Sequence, residues 1–217
     1  MDRLAIFDVD YTLTKRETQV ELIKFLIRHD PRKALYLPNS ALAALGFLLG
    51  FHDEKASKEQ NLKVLRGLTE SDLNQLSRRF MEESVKPMLY QDGIRRLKNH
   101  HEEGMRVILI SASPEFYIRE FERSPYIEKA MGTRFEIKDG IFTGKMIGRN
   151  NKGDEKIHRL MEYLGQDPVD WTESVMYSDS LSDKPLMDRM GQAYLINHKK
   201  NPYFPVLHWS SPERRSL

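Results

Sequence analysis

Four carboxylates carry the sharpest chemical signal in this 217-residue chain. Asp8 and Asp10 directly follow the apolar run Leu4-Ala-Ile-Phe7. Asp179 directly follows Ser174-Val-Met-Tyr-Ser178, and Asp183 stands four positions later. Each run reads as a short buried strand. In an open α/β sheet, ligands bind at the carboxyl ends of strands. Four acids meeting in one crevice repel each other unless a cation compensates them. A hard divalent cation with oxygen ligands does this. Mg²⁺ is the best match, because it uses few carboxylates, keeps waters and accepts a phosphate oxygen. Zinc fits poorly, since the cluster holds no histidine or cysteine.

The remaining residues suit a phosphate group. Ser111 closes the run Arg106-Val-Ile-Leu-Ile110, and Ser113-Pro114 reads as an N-cap followed by proline at the first helical position. The Ser111 hydroxyl and nearby backbone amides can therefore face an anion. A lysine near residues 154–157 can neutralise both phosphate and carboxylate. If the chain stays extended, Asp8 and Asp10 project to the same side. One carboxylate can then attack phosphorus while the other reaches the leaving oxygen. A carboxylate nucleophile splits the displacement into formation and hydrolysis of an aspartyl phosphate. The metal offsets charge on the phosphoryl oxygens.

The elements that must position these groups alternate. Helical spacing marks residues 19–28, with Pro31 ending or restarting the helix, then 34–51, 55–66 and 69–80. Thr69-Glu-Ser-Asp72 fits a capping box. Nothing between about 15 and 84 resembles a strand. Further on, a helix around Ile94, Leu97 and His101 closes at Gly104, and the run at 106–110 suits a strand buried on both faces. Residues 135–143 read as a hairpin turning at Asp139-Gly140. Asp154 is placed to cap a helix that ends at Gly165, residues 192–196 suggest a last strand, and 210–217 a loose tail. The expected fold is α/β: a Rossmann-like, doubly wound, mainly parallel sheet core with an inserted all-helical cap domain. Residues 1–14 and 85–217 would form the core, and 15–84 the cap.

Composition sets the wider frame. Lys and Arg total 34 against 32 Asp and Glu, a net charge of +2 that argues against a dedicated nucleic-acid binder. There is no cysteine, which excludes disulfides, thiolate metal sites and a cysteine nucleophile. With 30% charged residues and an N-terminal apolar run that stops at Asp8, the chain reads as a cytoplasmic globular protein without a signal peptide. The pair His100-His101 reads as a surface helix end rather than a metal site, because adjacent residues do not share a helix face.

Asp8-Val-Asp-Tyr-Thr-Leu-Thr14 resembles the first motif of the haloacid dehalogenase superfamily. Val-Ile-Leu-Ile-Ser111 resembles its second motif, and Tyr177-Ser-Asp-Ser-Leu-Ser-Asp183 its fourth. A helical cap after the first motif points to the phosphoserine-phosphatase-like branch. Gly153-Asp-Glu-Lys-Ile157 resembles the lysine motif of that branch, so Lys156 is preferred to Lys152; it lies 23 positions before Asp179. The resemblance implies a phosphatase with Mg²⁺ as cofactor and a small phosphorylated metabolite as partner. Asp8 would be the nucleophile and a metal ligand. Asp10 would be general acid and then general base, and would bind metal through its carbonyl. Asp179 would ligate Mg²⁺, and Asp183 would orient Lys156 or a metal-bound water. Ser111 and Lys156 would hold the phosphoryl group, with Thr12 supporting the loop beside the substrate. Glu17 matches the acid that grips the substrate ammonium in phosphoserine phosphatases. The arginine those enzymes set on the substrate carboxylate has no clean partner here: by spacing from Leu68 its place falls near Asn61, with Lys63 and Arg66 only nearby. Ser182 stands where they have asparagine.

Two other classes share some of these features. A signalling receiver also combines acids, Mg²⁺, a hydroxyl and a lysine, but stores phosphate without turnover. A lipid-surface binder or phospholipid head-group phosphatase would use the apolar stretch 41–51, which is too short to span a bilayer.

Overall fold

The structure, a computed structural model, describes residues 1–36, 54–199 and 203–210. The apolar stretch 41–51 and the tail beyond 210 lie outside the described residues. Among the described residues, no helix is long and apolar enough to cross a membrane.

Six parallel strands form the main sheet: β1 (Leu4–Phe7), β2 (Arg106–Pro114), β3 (Lys129–Thr133), β6 (Val175–Ser178), β7 (Gln192–Ile196) and β8 (Val206–Leu207). Their spatial order is β3-β2-β1-β6-β7-β8. The chain therefore starts in the middle, builds outward to one edge, returns, and builds to the other. The reversal falls between β1 and β6, which pair through Ala5↔Val175 and Phe7↔Tyr177. That switch point opens a crevice above the carboxyl ends of both strands.

Both faces of the sheet are covered, as continuous apolar runs require. On β1, Ala5 and Phe7 enter one buried cluster with Leu97, Val107, Leu109 and Tyr177. Leu4 and Ile6, one residue out of phase, enter a second with Ile108, Ile110, Leu160, Met176 and Leu186. Each fully buried side chain of this size contributes about 1.5–3 kcal/mol relative to exposure. Helix α4 (Gln91–Glu102) lies on the first face, and α6 (Asp154–Leu164) with α7 (Lys184–Met187) on the second.

Between β1 and β2 the described elements are helical: α1 (Thr18–His29), α2 (Glu54–Leu62), α3 (Glu70–Phe80) and α4, 3-10 turns at Pro31–Tyr36, Lys63–Leu65 and Lys86–Met88, and a π-turn at Met81–Val85. Helix α1 buries Leu22, Phe25 and Leu26 on one stripe. Half of the expected capping box is present: Thr69 Oγ1 accepts from the Asp72 amide at 3.1 Å, while the Asp72 carboxylate accepts from the Thr69 hydroxyl at 2.7 Å. The remaining strands, β4 (Phe135–Lys138) and β5 (Ile141–Met146), form the expected hairpin. Asp139 (φ 52°) and Gly140 (φ 75°) both take the left-handed conformation that a tight two-residue turn needs. This hairpin is docked onto the helical segment, with Gly67 N–H donating to the Phe142 carbonyl and Phe142 N–H to Leu68.

Several local expectations are corrected. Strand β2 does not stop at Ser111 but runs to Pro114, held by Pro114↔Thr133 pairing with β3. Pro114 occupies the N-cap position of the short helix α5 (Glu115–Ile118), and Ser113 does not cap it. Gly153, at φ 58°, precedes α6, so Asp154 is a first-turn acid rather than a cap. The pair lies at the helix end as expected, but His100 is partly buried rather than on the surface. Its ring packs near Phe7 and its Nε2 lies 2.8 Å from the Tyr177 hydroxyl.

Candidate active site

The loop after β1 is not extended. The amides of Thr12, Leu13 and Thr14 all donate to the Val9 carbonyl, and Tyr11 sits at φ 57°. This coil sends Asp8 and Asp10 toward different partners. Asp8 turns toward β6 and α6. Thr12, fully buried, donates to Asp8 Oδ2 at 3.3 Å and accepts from the Asp179 amide at 2.8 Å. Its hydroxyl thus ties the loop after β1 to the loop after β6.

Lys156 lies in the first turn of α6 and is only 2% exposed. Its ammonium donates to Asp8 Oδ1 and to Asp183 Oδ2, both at 2.6 Å. Lys152, by contrast, is exposed. Asp183 Oδ2 also accepts from Ser178 at 2.7 Å. Burial lowers the preference of Lys156 for its charged form, but the two carboxylates outweigh this and hold it protonated. Burial and the charges of Asp183, Asp179 and Asp10 push the Asp8 carboxyl upward, against the opposing pull of Lys156.

Asp10 faces β2. Its Oδ1 accepts from the Thr18 amide, at the N-terminus of α1, at 2.6 Å. Its Oδ2 accepts from Ser113 at 2.6 Å and from Ser111 at 3.4 Å. Ser111 is fully buried and also receives the Ser113 amide at 3.0 Å. Glu17 immediately precedes α1; burial and Asp10 raise its carboxyl above the usual range, with Lys58 opposing them. Lys58, on α2, donates to the Ala112 carbonyl at 2.5 Å. Among the described residues, Lys58 rather than Lys63 or Arg66 reaches toward the site from the helical segment. Lys63 is exposed, and the Arg66 side chain lies against Gly144 of the hairpin. Sequence reasoning missed Lys58 and Ser113.

The donor set fits a hard cation. Every candidate ligand is oxygen, and Asp183 Oδ1 is buried with no hydrogen-bond partner among the described residues. Among those residues no three acidic or histidine side chains are arranged as a preformed metal site. Mg²⁺, which keeps several waters and takes few protein ligands, needs none. Asp8, Asp179 and Asp183, with the Asp10 carbonyl, are the groups that would hold it.

The uncompensated charge has a measurable consequence. Burial, Asp183 and Asp10 raise the Asp179 carboxyl to about 6. Its ionised form therefore costs stability, fully in alkaline buffer and progressively less as the pH falls through about 6. In EDTA at neutral pH, Asp179→Asn should gain about 1–2 kcal/mol and melt about 2–8 °C higher than wild type. Mg²⁺ should raise the wild-type melting temperature and leave the variant nearly unmoved. A variant that melts lower in EDTA contradicts the crowding of these acids.

Comparison with known proteins gives a consistent picture. Residues 5–188 match the haloacid dehalogenase-like hydrolase family. The chain is 30% identical over 198 residues to phosphoserine phosphatase SerB1 of Mycobacterium tuberculosis, covering 89% of this chain and 64% of that protein. It thus spans just under two thirds of that relative's length. It is 27% identical over 221 residues to a histidinol-phosphatase of Neisseria meningitidis, covering 96% of this chain and 100% of that one. A protein of unknown function from Bordetella pertussis shares the fold, with a TM-score of 0.82 at 22% identity over 95% of this chain and 99% of its own.

Proposed function

The chain belongs to the haloacid dehalogenase-like hydrolases, and from that membership we propose that it is a Mg²⁺-dependent phosphatase acting on a small phosphate monoester. One observation carries the reading. Lys156 joins Asp8, at the end of the first strand, to Asp183, beyond the sixth, by two 2.6 Å bonds in a buried crevice. Two acids of distant origin share one cation there, an arrangement that suits phosphoryl transfer to a carboxylate.

In the proposed reaction, an Asp8 carboxylate oxygen attacks phosphorus. The ester P–O bond breaks and its electrons stay on the leaving oxygen, which takes the Asp10 proton. Asp10, now a carboxylate, takes a proton from water as that water attacks the aspartyl phosphate, releasing phosphate and restoring Asp8. Ser111 and Lys156 hold the phosphoryl oxygens, and Asp183 orients Lys156. Bound Mg²⁺ supplies charge compensation for the phosphoryl group and the acids that hold it. Residues 15–84 serve as a cap that selects the substrate.

Glu17 and Lys58 set opposite charges beside Asp10 and Ala112. This supports a leaving group that carries an amine, as in the substrates named for the mycobacterial and neisserial relatives. A metabolite panel with phosphoserine, histidinol phosphate, sugar phosphates and lipid phosphates tests the proposal. Expected is Mg²⁺-dependent phosphate release that EDTA stops, highest for an aminated ester. Glu17→Gln should raise KM for that ester about tenfold, with a smaller change for p-nitrophenyl phosphate. Absence of turnover on every ester with Mg²⁺ present contradicts the reading.

A further inference from the structure

Asp10 ends a chain of hydroxyl groups that leads into the protein interior. Ser113 Oγ lies 2.6 Å from Asp10 Oδ2, Thr18 Oγ1 lies 2.9 Å from Ser113 Oγ, and the Tyr117 hydroxyl lies 3.0 Å from Thr18 Oγ1. Thr18 and Tyr117 are fully buried, and Ser113 is 3% exposed. Once Asp10 has given its proton to the leaving oxygen, its carboxylate only accepts hydrogen bonds, and each hydroxyl has one proton to give. Ser113 therefore spends its proton on Asp10 and must accept from Thr18. Thr18 spends its proton on Ser113 and must accept from Tyr117. Burial and the Asp10 charge hold the Tyr117 phenol well above its ordinary range, so it stays a donor.

We infer that Ser113, Thr18 and Tyr117 form a one-way hydroxyl string that positions the Asp10 carboxylate and strengthens as negative charge develops on it. Ser113 is a positioning residue for proton transfer, and this assignment rests on the phosphatase reading above. As the ester bond breaks, the Asp10 proton moves to the leaving oxygen and the charge stays on Asp10. Hydrogen bonds aimed at that charge before it forms need no reorganisation when it does. Linked donors polarise one another, so the string is stronger than its first bond alone.

The scaffold fixes the string. A side chain at Gly132 would place Cβ 2.4 Å from the Ser113 carbonyl, so only glycine lets β3 press against this segment. Arg159 clamps the same region, donating to the Gly132 carbonyl at 2.9 Å and to Glu115 at 2.6 Å. Glu115 accepts in turn from the Gly132 amide at 3.1 Å.

The test is leaving-group dependence. Phenyl phosphate needs its departing oxygen protonated far more than p-nitrophenyl phosphate does. The ratio kcat/KM reports only the steps through ester cleavage, so hydrolysis of the phosphoenzyme does not enter. Ser113→Ala should lower kcat/KM for phenyl phosphate about 10–100-fold and for p-nitrophenyl phosphate less than about threefold. Ser113→Thr, which keeps the hydroxyl, should restore both to within about threefold. Tyr117→Phe, which keeps the ring packed against Phe80 and Phe116, should show the same asymmetry at smaller size. It carries the comparison if Ser113→Ala does not fold. Equal losses on both esters, or no loss, overturn the string while wild type remains active. A wild type inert toward both esters and toward every ester of the metabolite panel overturns the phosphatase reading, and the string falls with it.

Discussion

Asp8→Asn is expected to lower kcat for any phosphate ester by about 10³-fold or more, with the fold intact. The amide is nearly isosteric, but it has no anionic oxygen to form the P–O bond. It also returns one fewer charge to Lys156, which keeps its bond to Asp183. Stability in EDTA should therefore hold or rise, because the Asp8 carboxyl is pushed upward by burial and by three neighbouring acids. Circular dichroism and a melting curve, set beside the turnover number, separate lost chemistry from lost structure. Substantial residual turnover argues against Asp8 as nucleophile.

Lys156→Met is expected to damage both function and stability. The lysine is the cation between Asp8 and Asp183, at 2.6 Å from each and 2% exposed. Removing one partner from a buried ion pair costs about 3–5 kcal/mol, since the charge left behind is unpaired. Here two acids are left facing each other. Protonation of one relieves part of the cost, so the loss should be smaller in mildly acid buffer than in alkaline buffer. The expected drop in melting temperature at neutral pH, in EDTA, is about 6–20 °C. Catalytic efficiency should fall about 10²–10³-fold with the phosphoryl contact gone. Lys156→Arg should not rescue it, because a planar fork does not replace a compact ammonium in a pocket this closed. A stable, active Lys156→Met protein contradicts the role assigned to that residue.

Much of this site is legible in the chain because the signals are local. Short apolar runs that end in an acid announce strands whose carboxyl ends hold the ligand. The sheet order then brings Asp8 and Asp179 together at the switch between β1 and β6. Lys156 follows from the resemblance of Gly153-Asp-Glu-Lys-Ile157 to the lysine motif of the phosphoserine-phosphatase-like branch. What escapes sequence reading depends on contacts between distant positions. Ser113-Pro114 has the local pattern of a helix cap, yet the Ser113 hydroxyl is taken by Asp10, 103 positions earlier. The coil at Tyr11 makes the spacing of Asp8 and Asp10 a poor guide to their direction. Lys58 lies on α2, and the 3-10 turn at Lys63–Leu65 separates that helix from Leu68, so counting back from Leu68 misses it. His100 shows only a helix position in the sequence, and its Tyr177 partner belongs to a strand 77 residues away.

The most direct test of the covalent route is to trap the phosphoenzyme. Asp10→Asn should still accept a phosphoryl group from a good leaving group but release it slowly, since the base for the second step is gone. Incubation of this variant with p-nitrophenyl phosphate and Mg²⁺, acid quench and peptide mass spectrometry should place one phosphoryl group on the peptide carrying Asp8. The double variant with Asp8→Asn should carry none. A phosphoryl group found on Ser111, or a wild type that turns over while neither it nor Asp10→Asn ever carries one on Asp8, would contradict the account.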